Sequence, residues 1–169
     1  SSHGANLLLN NNAKEVFKIA SELDQFNKER QYLEEDVLNK ISIEANKTQS
    51  DPVIILSGKN WHEGVIGIVA SRLKDKFNKP VIIITVDKNL GKASARSVIG
   101  FDIGSIIIAA MQEKILIKGG GHKMAGGFTI DVNNIERFKE FVLKKFKKKD
   151  KNHTKEKFLY LDSIISPAA

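Results

Sequence analysis

Three short stretches of this chain bring together residue types suited to holding a phosphate. Gly119-Gly120-Gly121-His122 is the most specific of them. Read as a loop, three successive glycines let a backbone approach a ligand closely and turn its N–H groups inward as an anion nest. A helix beginning at His122 would add the partial positive charge of its N-terminus. The imidazole then offers a donor to a phosphate oxygen, or a proton relay. The structural alternative is a tight turn with a surface histidine. The second stretch is Ser94-Ala95-Arg96-Ser97. In extended backbone Ser94 and Arg96 point to one side, and a hydroxyl beside a guanidinium makes a fork suited to phosphate. Only four of the 27 basic residues are Arg, so an arginine here is more informative than another lysine. Its alternative is an edge-strand residue in a surface ion pair. The third stretch is Trp61-His62-Glu63-Gly64, between a strand-like run and a helix-like one. Ligands gather at the carboxyl ends of strands in such units. Trp61, the single tryptophan, is a candidate to stack on a base, or else a core plug. His62 is a candidate contact, or else a helix cap.

Other chemistries lack their residues. Asp87, Asp102 and Asp131 are scattered, with no His beside them, so no spacing suggests a two-metal phosphodiesterase centre. His62 and Glu63 lack the i, i+4 histidine pair of the helical zinc motif, and there is no Walker loop or Gly-x-Ser-x-Gly elbow. With no cysteine, thiolate metal sites and cysteine nucleophiles are excluded.

The elements that must position these stretches can be read from periodicity. Val16, Ile19, Leu23, Phe26, Leu33, Val37 and Ile41 recur at helical spacing, which predicts one helix over 13–47, with Asn12 a possible cap and Arg30 filling a gap in the stripe. Such a helix is a rod of ~50 Å, suited to bridging two bodies or forming a coiled coil. It must stop before Pro52. Val53–Ser57 and Val81–Val86 are continuous apolar runs joined by an amphipathic stretch, Gly64–Phe77. That pattern is a βαβ unit whose sheet is covered on both faces. Further strands are expected at Gly91–Val98 and Phe128–Ile130, and a core helix at Ile103–Met111 with Asp102 as its cap. Asn133 or Asn134 would cap a last helix carrying Phe138, Phe141 and Val142. A basic run follows from Lys144 to Lys157, most often a solvated face, and Phe158–Asp162 reads as one more strand. The fold class is α/β, a mixed central sheet with helices on both faces, preceded by a long linker helix.

At 169 residues the chain is one domain, or one domain with an appendage. Its 41% hydrophobic and 28% charged residues exclude a disordered or fibrous chain. The lack of cysteine suits a reducing compartment, so a cytoplasmic protein is expected, and no apolar run approaches the ~20 residues of a membrane span. The net charge of +7 points to an anionic partner, but its distribution is uneven. Residues 1–52 carry −3, residues 53–131 carry +5 and residues 139–157 carry +6.

Taken in order and spacing, Trp61-His62-Glu63-Gly64-Val65-Ile66-Gly67-Ile68, then Ser94-Ala95-Arg96-Ser97, then Gly119-Gly120-Gly121-His122-Lys123-Met124-Ala125-Gly126-Gly127-Phe128 resemble the DHHA1 domain. Within that group the chain is similar to the RecJ family of single-strand-specific 5′→3′ DNA exonucleases, which serve DNA repair and recombination. Leu23–Arg30 resembles the helix that joins the catalytic DHH domain of that family to DHHA1. The resemblance implies a phosphate-binding set of Ser94, Arg96, Ser97, Gly120, Gly121 and His122, with Trp61, His62 and Arg30 as secondary candidates. It implies single-stranded DNA as partner and no membrane. It also places the catalytic residues, and the Mn²⁺ or Mg²⁺ they hold, in a DHH domain that this chain lacks. The expected organisation is a linker helix over 1–50, DHHA1 over 51–150, and a basic linker with the start of an OB-like domain over 151–169. The chain is thus expected to be a fragment that binds DNA and cuts nothing. Where the family has Gly on each side of the matched serine, this chain has Ala93 and Ala95. The alternatives are an oligoribonuclease or cyclic-dinucleotide phosphodiesterase of the wider DHH–DHHA1 group, or a stand-alone nucleic-acid-binding module.

Overall fold

The two apolar runs pair in parallel, as a βαβ unit requires. β1 (Ile54–Lys59) lies beside β2 (Val81–Asp87) with Ile54 opposite Val81, and α2 (Glu63–Phe77) crosses between them. The computed structural model describes residues 13–48 and 50–153. In chain order the other elements are α1 (Ala13–Lys47) at the start, then β3 (Leu90–Arg96), α3 (Ile103–Gln112), β4 (Lys118–His122), β5 (Ala125–Asp131), a 3₁₀ turn (Val132–Asn134) and α4 (Ile135–His153). The sheet has five strands in the order β1-β2-β3-β5-β4, antiparallel from β2 onward.

Alternation along β2 divides the core. Val81 and Ile83 join Val65, Val69 and Leu73 of α2, with Val37, Ile41 and Ala45 of α1 beyond. Ile82 and Ile84 join Ile107 of α3, Phe128 and Ile130 of β5, and Phe138 and Val142 of α4. Helices therefore lie on both faces, as two continuous apolar strands demand. Local signals set the helix ends. His62 caps α2, accepting from the Gly64 N–H through Nδ1 at 3.1 Å, and Asn78 closes that helix in the left-handed conformation at φ 49°. Asp102 caps α3 through the Ser105 N–H at 3.0 Å.

Three expectations need correction. The stretch 118–122 is not a glycine loop but the edge strand of the sheet, hairpinned to β5 through Lys123 and Met124. No helix begins at His122, and the backbone there is no nest. The last helix is led in by Asp131, whose carboxylate accepts from the Asn133 N–H at 2.8 Å at the 3₁₀ turn; Asn133 and Asn134 lie inside that turn. The helix α4 also runs on to His153, three residues into the segment expected as a basic linker. Asn12, Phe158–Asp162 and most of the expected 151–169 segment lie outside the described residues.

Candidate functional site

Strand register sets three rows of residues across β3, β5 and β4. Lys92, Thr129 and Lys118 make one row, Ser94, Gly127 and Gly120 the next, and Arg96, Ala125 and His122 the third. Side chains alternate along a strand, so all nine positions share one face. It is the face α2 packs on, because Ser94 pairs with Ile83 and Arg96 with Val81. Helix α2 packs over β2 and reaches β3, and the rest of this face is a depression of about 590 Å³, lined on its α2 side by Glu63 and Ile66. Gly120 and Gly127 lie on its floor, and the space above Gly120 is open for 4 Å.

Each polar group is held by its neighbours. Arg96 donates through Nη1 to Ser94 Oγ at 3.2 Å and to the Ala95 carbonyl at 2.9 Å. Ser94 accepts there and keeps its own hydroxyl proton for a ligand. A Cβ on Gly67 of α2 would stand 3.1 Å from both Arg96 Nη2 and Ser94 Oγ, so a side chain at residue 67 would press on both groups. His122 accepts from the Met124 N–H through Nδ1 at 3.3 Å. The neutral ring then carries its proton on Nε2, as an outward donor. The hairpin turn beneath it is tied twice, by Ser97 N–H to the Met124 carbonyl at 2.8 Å and by Ile103 N–H to the Lys123 carbonyl at 3.2 Å. At the rim, Lys92 Nζ pairs with Glu63 Oε1 at 2.6 Å.

Ser94, Arg96, Gly120 and His122 are thus brought onto one face. Three other candidates are not. Ser97 is 1% exposed and its hydroxyl donates to the Phe101 carbonyl at 2.6 Å, so it shapes the turn after β3 and has no free proton for a phosphate. Gly121 faces away from Gly120, and a Cβ there would stand 2.5 Å from the Ala125 carbonyl oxygen. It is glycine because β5 leaves no space. Trp61 is 9% exposed and packs in the α2-side core, with its ring against Gly58, which removes it as a base-stacking platform. Two more stand apart. His62 is exposed and engaged as a cap; Arg30 is exposed on α1. Lys92, Lys118 and Thr129 also line the depression but belong to none of the three sequence motifs. The Lys92-x-Ser94-x-Arg96 alternation was visible, but Lys118 and Thr129 join it only once 118–122 is a strand. Among the described residues no three His, Asp or Glu side chains gather closely enough to hold a metal ion, so this set does not fit Mn²⁺ or Mg²⁺.

A family model described as the DHHA1 domain matches residues 50–148. The single-stranded-DNA-specific exonuclease RecJ of Bacillus subtilis (strain 168) is 34% identical over 132 residues, which is 76% of this chain and 16% of that protein. The crystal structure of RecJ from Thermus thermophilus in complex with Mn²⁺ superposes with a TM-score of 0.78 at 32% identity, covering 87% of this chain and 22% of that one. The structure of the same protein with Mg²⁺ gives a TM-score of 0.75 at 32% identity, covering 87% and 23%. The chain spans less than a quarter of the length of these relatives.

Proposed function

The chain belongs to the DHHA1 domain family, and from that premise we propose that it is the strand-holding part of a RecJ-like, single-stranded-DNA-specific 5′→3′ exonuclease acting in cytoplasmic DNA repair and recombination. The observation that carries this reading is the third row and its neighbour: Arg96, His122 and Ser94 around the bare backbone of Gly120, on one open face of the sheet. Arg96 supplies permanent charge and a planar fork. His122 Nε2–H and the Ser94 hydroxyl each donate one hydrogen bond to a phosphate oxygen. The glycine floor lets the sugar–phosphate chain lie against the sheet without meeting a side chain.

Hydrolysis in such a protein takes Mn²⁺ or Mg²⁺, and the donors for those ions are proposed to lie in a DHH domain joined through α1. What the described residues supply is position and charge compensation, not the attack itself. In this reading residues 1–50 connect to that domain, 51–150 hold the strand, and 151–169 lead toward a further domain.

Fluorescence anisotropy of the 169-residue chain with 5′-phosphorylated oligothymidylate tests the reading. The single strand binds, a duplex of equal length binds more weakly, and Arg96→Ala and His122→Ala each weaken binding about tenfold, the scale of one charge-assisted hydrogen bond. The chain shows no turnover with Mn²⁺. Unchanged affinity in both variants, or turnover that disappears with His122→Ala, overturns it.

A further inference from the structure

The depression on this face is not centred on the row that carries the motif residues. It is lined by Lys92, Thr129 and Lys118, and by the glycine row between them and Arg96. Thr129 sits between the two lysines, one strand from each. It is 8% exposed, and among the described residues its hydroxyl makes no hydrogen bond. Lys118 is exposed on the edge strand and has no ion pair among the described residues. We propose that Lys92, Thr129 and Lys118 form a second phosphate subsite, for the phosphate two nucleotides along from the one held at Arg96 and His122. The proposal rests on the reading of this face as the strand-holding surface.

The spacing fits a polynucleotide backbone. Lys92 and Arg96 are four residues apart on β3, or ~13 Å at the strand rise of about 3.3 Å. A peptide repeat of three bonds spans at most ~3.5 Å, so the six-bond repeat of a nucleotide spans roughly 7 Å when drawn out. Two such repeats match the separation of the rows. The glycine row lies midway, where the second phosphate would pass over bare backbone.

Glu63 gives the subsite its signature. Its carboxylate holds Lys92 at 2.6 Å in the free protein and borders the same depression. An arriving phosphate competes with that carboxylate for the ammonium group and is repelled by it. Removing the charge at Glu63 therefore strengthens binding of the long ligand, which a purely structural role for the ion pair does not do.

The test is a length series of 5′-phosphorylated oligothymidylates, of one to five nucleotides, titrated calorimetrically into the 169-residue chain. Wild type gains affinity sharply between two and three nucleotides, where the first and third phosphates span both rows. In Lys92→Ala/Lys118→Ala that step shrinks about tenfold while mononucleotide and dinucleotide affinities hold. Thr129→Val reduces the step severalfold without loss of fold, and Glu63→Gln enlarges it. If the step persists in the double variant while Arg96→Ala abolishes binding at every length, the subsite is wrong and the strand-holding reading stands. If wild type binds no oligonucleotide of any length, both fall. Equal weakening at all lengths in the double variant also overturns the subsite, because it shows general attraction without a position.

Discussion

Adjacent glycines in one motif have opposite reasons to be glycine. A Cβ at Gly120 points into the open depression and meets nothing within 4 Å, whereas a Cβ at Gly121 meets the Ala125 carbonyl oxygen at 2.5 Å and Gly126 Cα at 2.6 Å. The first substitution is thus free for the fold and harmful for a ligand, and the second is the reverse. Gly120→Ala is expected to leave the urea midpoint unchanged or raise it slightly, since alanine narrows the unfolded ensemble by about 0.4–1 kcal/mol. The same variant weakens oligonucleotide binding, because its methyl group occupies the floor. Gly121→Ala is expected to lower stability by about 1–3 kcal/mol, as overpacking against immobile backbone does. Urea unfolding and anisotropy on both variants check this together. Loss of stability in Gly120→Ala would mean the floor serves packing and not a ligand. Such a distinction is invisible in the letters Gly-Gly-Gly. The motifs join Gly120 to Gly121 and Ser94 to Ser97, because motif membership says nothing about which face a residue takes.

Why β4 was not legible as a strand is a question about the elements around it. Glycine has poor strand propensity, and three in a row beside a histidine suggest a loop. The strand forms because its neighbours require bare backbone. A Cβ at Gly119 would stand 2.7 Å from Phe128 Cβ, and Gly104 lets α3 approach so closely that its own Cβ would stand 2.9 Å from the His122 carbonyl oxygen. These are tertiary contacts, absent from any local window. The βαβ unit was legible because its apolar runs need no partner to be recognised. The helix α1 was legible in extent but not in burial. Its apolar stripe runs from Val16 to Ile41, yet Val37, Ile41 and Ala45 are buried while Phe26 is 56% exposed. A helix of 15 residues, ~22 Å long, cannot cover a partner of ~52 Å. What ties α1 to α2 at the start of the buried stretch is an ion pair, Arg72 Nη2 to Glu34 Oε1 at 2.6 Å, with the Glu34 side chain 6% exposed and Arg72 54% exposed. Removing one partner strands a buried carboxylate. Arg72→Ala is expected to cost about 1–3 kcal/mol, the desolvation of one unsatisfied group, partly offset by water at the exposed side. Glu34→Leu in that background recovers most of the loss. Additive losses in the double variant, measured by urea unfolding, would show that the pair is not coupled.

At the scale of the molecule, Lys144, Lys145 and Lys147 of α4 and the proposed strand-holding face are on opposite sides of the sheet. Residues 139–157 carry +6, and Lys144, Lys145 and Lys147 lie on α4, which packs with α3 against the Phe128 and Ile130 side. Lys145 is drawn over the Phe141 ring at 5.1 Å. The depression lies on the α2 side, where Arg96, Lys92 and Lys118 supply the fixed charges. Net charge alone would direct attention to the α4 side. Salt dependence separates them, since each phosphate neutralised on a single strand contributes about −0.7 to the slope of log affinity against log salt. A tetranucleotide with one phosphate at Arg96 and one between Lys92 and Lys118 has an expected slope of about −1.4. Lys144→Ala/Lys147→Ala is therefore expected to leave that slope unchanged, although it removes two of the seven net charges. Arg96→Ala makes it shallower by about 0.7. If the α4 variant flattens the slope as much as Arg96→Ala does, the tetranucleotide is held by diffuse attraction to the chain's charge. The register of β3, β5 and β4 would then have no part in choosing where the strand lies.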